Sequence, residues 1–214
     1  MLASIHPLGE RAKGNRWWVT AVAYLASSLL AGALIGSVAG VVGFGVAAVA
    51  RPAPVVLAWA VAACCLAAAL IEIRAVPVSL PSVRRQVNED WLNRYRGWVY
   101  GAGFGFQLGL GVVTIVTTPA VYLMALMGSL AGLEAGWATG ADPVAATLAG
   151  SAVGAAFGLV RAMPIFGGVR VRAPGQLRAV HRRLEEARRR SSWLTAGGLA
   201  AAATAAALYG VRWA

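Results

Sequence analysis

The sequence predicts an all-α, polytopic membrane protein, and three observations carry that reading. Of 214 residues, 59% are hydrophobic and 13% charged, about half the charged share of a soluble domain. Five stretches are apolar over enough residues to cross a hydrocarbon layer roughly 30 Å thick. None alternates polar and apolar residues as a barrel strand would, so each is expected to be helix, which satisfies its own backbone in lipid.

In chain order the stretches are 17–40, 53–73, 97–136, 143–160 and 193–209. The first follows Arg11, Lys13 and Arg16, as a signal peptide would. Its apolar run is too long for a signal core and no small-residue cleavage site follows, so it reads as an uncleaved helix. It carries Gly32, Gly36 and Gly40, two overlapping GxxxG units of the kind that lets helices approach closely in lipid. The second stretch holds Cys64 and Cys65, the only cysteines. Neighbours on a helix point about 100° apart, poor geometry for a disulfide, so inert packing is expected.

The third stretch is double length, and charge decides how often it crosses. The chain carries a net +11, and 18 of its 19 basic residues are Arg. They fall between the apolar runs, which assigns them to topology and lipid headgroups rather than to nucleic acid. If 97–136 crosses once, 17 basic residues share one side and only Arg51 and Arg212 lie on the other; two crossings give 9 and 10. The positive-inside rule favours the single crossing. The expectation is five spans in the plasma (inner) membrane, N-terminus cytoplasmic and C-terminus outside. The alternative is six spans with a kinked hairpin over 97–136.

A single crossing leaves this segment overlong. Gly97, Gly101, Gly103, Gly105, Gly109 and Gly111 loosen its first half, and Thr117, Thr118 and Pro119 interrupt its middle. A broken or re-entrant helix is expected, tolerated at membrane depth only where protein or a watery cavity covers it. The intramembrane polar residues concentrate on the same segment: Gln107, Thr114, Thr117, Thr118 and Tyr122, with Glu134 near the outer end. Such groups are costly in lipid and mark pathways, although threonines also bond back to their own helix. Gln107, Thr114, Thr117, Thr118, Pro119 and Tyr122 form the expected pathway lining.

Two segments between spans read as polar helices. Residues 74–96 carry a short helix that runs into the third stretch, and Tyr95, Trp98 and Tyr100 at that junction are expected as an interfacial aromatic belt. Residues 175–192 place Leu177, Val180, Leu184 and Ala187 on one helical face, with Glu185–Arg189 and Glu186–Arg190 as i,i+4 pairs. Its Arg178, Arg182, Arg183, Arg188, Arg189 and Arg190 are expected to meet anionic headgroups, with the helix lying on the cytoplasmic leaflet. No HExxH, CxxC, GxSxG, phosphate loop or dinucleotide fingerprint occurs, and His6 and His181 sit in separate tails. No enzyme activity, metal or cofactor is therefore expected.

Several motifs carry a resemblance. The run GFGFQLGLG from Gly103 to Gly111, followed by Thr117, Thr118 and Pro119, resembles the Gly-rich helix leading into the Cys–Pro motif of the cytochrome c biogenesis / thiol–disulfide interchange transmembrane family, part of a wider small-solute exporter group. GAAFG from Gly154 to Gly158, running on to Met163 and Pro164, resembles that family's next helix. The Arg-rich stretch before Trp193 resembles its approach to the last helix. Thr118 stands where the redox cysteine would precede proline, and the helix with the partner cysteine is missing. The resemblance thus implies a scaffold of broken helices around a gated path, without the electron shuttle.

Two function classes follow. One is a transporter or permease-like protein for a small solute or ion. The other is a non-catalytic subunit or assembly factor of a larger membrane complex. A thiol relay is a third. The expected partners are the lipid bilayer with its anionic lipids, and further copies of the chain or other membrane subunits. The charge-poor spans weigh toward the subunit, because ion-coupled carriers usually hold a buried acid.

Overall fold

A computed structural model of the chain describes residues 5–50, 52–76, 78, 80–81, 91–111, 118–140, 142–169 and 174–212. Within these ranges the side chains of 92–93, 174, 177–181 and 183–189 lie outside the described set. The described residues form eight α-helices: α1 (Pro7–Ala12), α2 (Trp17–Val49), α3 (Pro54–Glu72), α4 (Trp91–Arg94), α5 (Gly97–Leu110), α6 (Ala120–Ala138), α7 (Pro143–Ala162) and α8 (Pro174–Arg212). A 3-10 turn, Met163–Gly168, extends α7. Five helical stretches are long and apolar enough to cross a membrane: α2, α3, α6, α7 with its 3-10 turn, and Arg190–Arg212 of α8.

The starts and stops follow local chemistry. Pro54 and Pro143 open α3 and α7 at the first helical position, where a missing N–H costs nothing. The Asp142 carboxylate accepts from the Val144 N–H at 2.8 Å and caps α7. Helix α5 ends at Gly111, whose φ of 71° is a left-handed conformation natural to glycine. Helix α2 runs nine residues beyond the expected stop at 40, straight through Gly43 and Gly45.

Helix α2 is the axis of the fold. At 33 residues it is about 50 Å long, well over a bilayer core. Gly97, Gly101, Gly105 and Gly109 of α5 meet Thr20, Tyr24 and Ser28 of α2 in rising order. Gly128, Gly132 and Gly136 of α6 then meet Ala39, Gly40 and Phe44, again in rising order. Both helices therefore run parallel to α2, one after the other. Helix α5 has 14 residues and α6 has 19, together the length of α2. The third segment is thus two helices in line along α2, of which α6 is long and apolar enough to cross; this fits the five-span count, since a hairpin would make α6 antiparallel to α5.

Helix α7 runs the other way along α2. Ala146, Gly150, Gly154 and Gly158 descend past Gly40, Gly36, Gly32 and Ser28. A methyl group on any of the three α2 glycines would collide with a carbonyl oxygen of α7. The overlapping GxxxG units thus serve a contact within the chain, backbone against backbone. Two hydroxyls cross the same seam: Ser28 Oγ donates to the Gly158 carbonyl at 2.8 Å and Ser151 Oγ to the Ala33 carbonyl at 3.3 Å.

Helices α3 and α8 stand apart from this four-helix core. They pack chiefly against each other, with slight contact from α3 to α6 and from α8 to the 3-10 turn. Their buried residues are small: Ala58, Ala62, Cys65, Ala68 and Ala69 on α3 and Ala196, Ala203 and Gly210 on α8, with Gly210 against Trp59 and Ala58. The basic segment expected as a separate interfacial helix is helical and joins the last span in one 39-residue helix. No Pro or Gly falls between 176 and 196 to break it.

Candidate functional site: the broken segment and the buried end of the core

The sequence-predicted pathway residues that can be located lie at and on either side of the break between α5 and α6. Gln107 and Thr118 are half-buried, and Pro119 is buried as the residue that leads into α6. Thr114 and Thr117 lie outside the described residues. Tyr122 is 39% exposed, and its hydroxyl donates to the Pro81 carbonyl. That bond ties the segment after α3 to the first turn of α6. Glu134 is exposed.

A cleft of about 570 Å³ opens elsewhere, at the far end of α2. Phe44, Ala47, Pro52, Pro54, Gly136 and Trp137 are among its walls. None of the expected pathway residues lines it. Of the expected headgroup arginines, Arg182 and Arg190 are exposed on α8, while the side chains of Arg178, Arg183, Arg188 and Arg189 lie outside the described residues.

The densest chemistry sits at the opposite end, where α1, α2, α5 and α7 meet. Ile5, Ala21, Tyr24, Tyr100, Phe104, Ala162 and Ile165 form an apolar cluster there, with Trp17 and Trp91 packed against it. Trp91 stacks on Phe104 with centroids 6.3 Å apart, and Trp17 meets Phe166 edge-on at 6.3 Å. Glu10 of α1 is fully buried beside this cluster. One carboxylate oxygen accepts from the Tyr100 hydroxyl and the other from Thr20 Oγ1 at 2.9 Å. The Lys13 ammonium lies 5.6 Å from the centroid of the Tyr100 ring. Gly97 makes room, since a side chain there would strike Thr20 and Glu10. A buried carboxylate without donors would be expensive; each oxygen here has one, from two different helices.

This cluster revises two expectations. Tyr100 does not join the interfacial belt: it is fully buried, whereas Tyr95 and Trp98 are 51% and 54% exposed. The core is not bare of acid either, because α1 carries Glu10 into it. Sequence reasoning missed Glu10 because its partners lie 10 and 90 residues away and a single Glu in a basic tail has no local signature. One signal was available: Gly97, Gly101, Gly105 and Gly109 recur every fourth residue, marking the face of α5 that meets α2.

At the same end, Arg161 near the close of α7 is half-buried. Its guanidinium lies over the Phe157 ring at 5.6 Å and within electrostatic reach of Tyr24. The Arg161 Nε–H and the Trp17 indole N–H are both buried without a hydrogen-bond partner among the described residues.

No protein-family model matches the chain, and no solved structure does. It is similar to the methylamine utilization protein MauF of Paracoccus versutus, 29% identical over 136 residues that cover 61% of this chain and 48% of the relative. The MauF of Paracoccus denitrificans is 30% identical over 139 residues, covering 61% of this chain and 47% of the relative. Neither bears the name of a thiol–disulfide interchange protein. The chain spans about half the length of the curated relatives it matches.

Proposed function

We propose that this protein is a non-catalytic accessory or assembly factor that works beside other membrane subunits in methylamine utilisation. The similarity to the two MauF proteins carries the reading. The architecture supports it, since the α3/α8 pair stands off the core and keeps wide apolar faces, Leu66, Leu194 and Leu208 among them, open to lipid or to another membrane subunit. In this reading the chain lies in the plasma (inner) membrane with its N-terminus in the cytoplasm and C-terminus outside, the side preference implied by the 17-to-2 partition of basic residues. The arginines between 178 and 190 then meet anionic headgroups. Deleting the gene in its host tests the proposal. The expected result is lost growth on methylamine with growth on other carbon sources intact. Normal growth on methylamine overturns it.

The break in the third segment favours a second reading, a path for a small solute. Discontinuous helices in membrane carriers expose backbone carbonyls that hold ions and substrates. Here the path would run past Gln107 and Thr118. Cysteines placed at 107 and 118, in a chain lacking Cys64 and Cys65, would then react with a water-soluble maleimide. If both stay unreactive while a cysteine at Thr139 labels, there is no aqueous path and the subunit reading stands alone.

A further inference from the structure

We infer that the end of the core where α2 begins and α7 closes holds a phosphate anion, with the Arg161 guanidinium as its charged ligand. Buried polar groups in folded proteins are almost all hydrogen-bonded, and an orphan is commonly the mark of a missing partner. Among the described residues two orphan donors occur at this end, Arg161 Nε–H and Trp17 Nε1–H. One of them belongs to a permanent cation.

The neighbours of Arg161 make the need specific. Phe157 offers its ring face and Tyr24 a neutral hydroxyl. The buried acid of the same end, Glu10, is engaged by Tyr100 and Thr20. An anion from outside the chain would supply the missing charge. Arginine favours phosphate because its planar fork donates two parallel N–H bonds to two oxygens.

Depth points the same way. The candidate span formed by α7 and its 3-10 turn ends at Gly168, seven residues past Arg161, or about 13 Å with the longer rise of the 3-10 turn. A guanidinium that far inside the end of a span reaches the level where headgroup phosphates meet hydrocarbon. The same seat would accept a free phosphate from the adjoining water, since both present the same oxygens.

The test is native mass spectrometry of the full chain, delipidated in mild detergent. It is titrated separately with phosphatidylglycerol, with a diacylglycerol of the same tails and with inorganic phosphate. The expected result is saturable binding of one phosphate-bearing ligand, about tenfold weaker or more in Arg161→Gln and unchanged in Arg212→Gln. Binding of phosphatidylglycerol alone assigns the seat to a lipid. Inorganic phosphate that displaces the lipid assigns it to a soluble anion. Equal binding of diacylglycerol and phosphatidylglycerol with none of inorganic phosphate overturns the proposal, as does full binding by Arg161→Gln, equal loss in Arg212→Gln, or no binding of either phosphate. If Arg161→Gln does not fold, the three titrations of the unaltered chain decide alone.

Discussion

The four-helix core and the α3/α8 pair solve the same problem, helix contact in lipid, with different residues. In the core, α2 meets α5, α6 and α7 through glycines, and a methyl group at most of those positions would strike a backbone carbonyl. In the pair the buried residues are mostly alanines, joined by Cys65 and by Gly210 against Trp59 and Ala58, and nothing lies within 4 Å of a methyl added at Gly197 or Gly198. Burial inside the chain runs from 33% in the apolar part of α2 through 28% in α3 and 22% in α7 to 11% in the last span, so it is α8 that stands out. With no hydrophobic drive between helices in lipid, close contact and interhelical hydrogen bonds supply the adhesion. The core has both in quantity. In the pair the seam is as extensive as that between α2 and α6, but α8 keeps most of its surface free of the chain, open to lipid or to another subunit.

The sharpest way to break this contrast is Gly36→Leu. The new side chain must force α7 away from α2, and the expected loss is about 3 kcal/mol or more, or failure to fold. Thermal unfolding in detergent reads it, and a change under 1 kcal/mol would show that the seam is looser than its contacts imply.

Next in size is Glu10→Ala. It leaves the Tyr100 and Thr20 hydroxyls without an acceptor in a buried site, at a cost of about 1–3 kcal/mol. Release of α1 should also raise protease cleavage between α1 and α2, near Asn15. Unchanged stability and cleavage would mean that α1 is held by Ile5 and its apolar contacts alone.

The pair should respond in the opposite sense. Gly197→Ala removes a helix-weakening residue at an open position and should stabilise α8 by about 0.8–1 kcal/mol. Destabilisation there would mean that another helix approaches this face. The smallest effect belongs to Cys64→Ala with Cys65→Ala. Cys64 is exposed and Cys65 buried on the same helix, and the double replacement should leave biological activity intact, as measured by growth on methylamine. Loss of activity at normal expression would revive the thiol relay.

Much of the fold was legible because lipid imposes it. Apolar length marked the long helices, and the charge count chose one crossing for 97–136 over two. Gly111 and Pro119 flagged the break that separates α5 from α6. The neighbours of each helix were less legible, because glycine spacing says that a face is close-packed and not against what. Gly32, Gly36 and Gly40 could equally have faced a second copy, and they face α7. The buried end was least legible. Glu10, Thr20 and Tyr100 come from three elements, and each alone reads as an ordinary tail or interface residue.

The claim on which the architecture rests is that α5 and α6 are halves of one crossing. Arg96→Cys and Thr139→Cys, placed singly in a chain lacking Cys64 and Cys65, bracket the two halves. A membrane-impermeant maleimide added to intact cells should label one of the two positions and spare the other until the cells are opened. Labelling of both from the outside, or protection of both, would make 97–138 a hairpin and contradict the account.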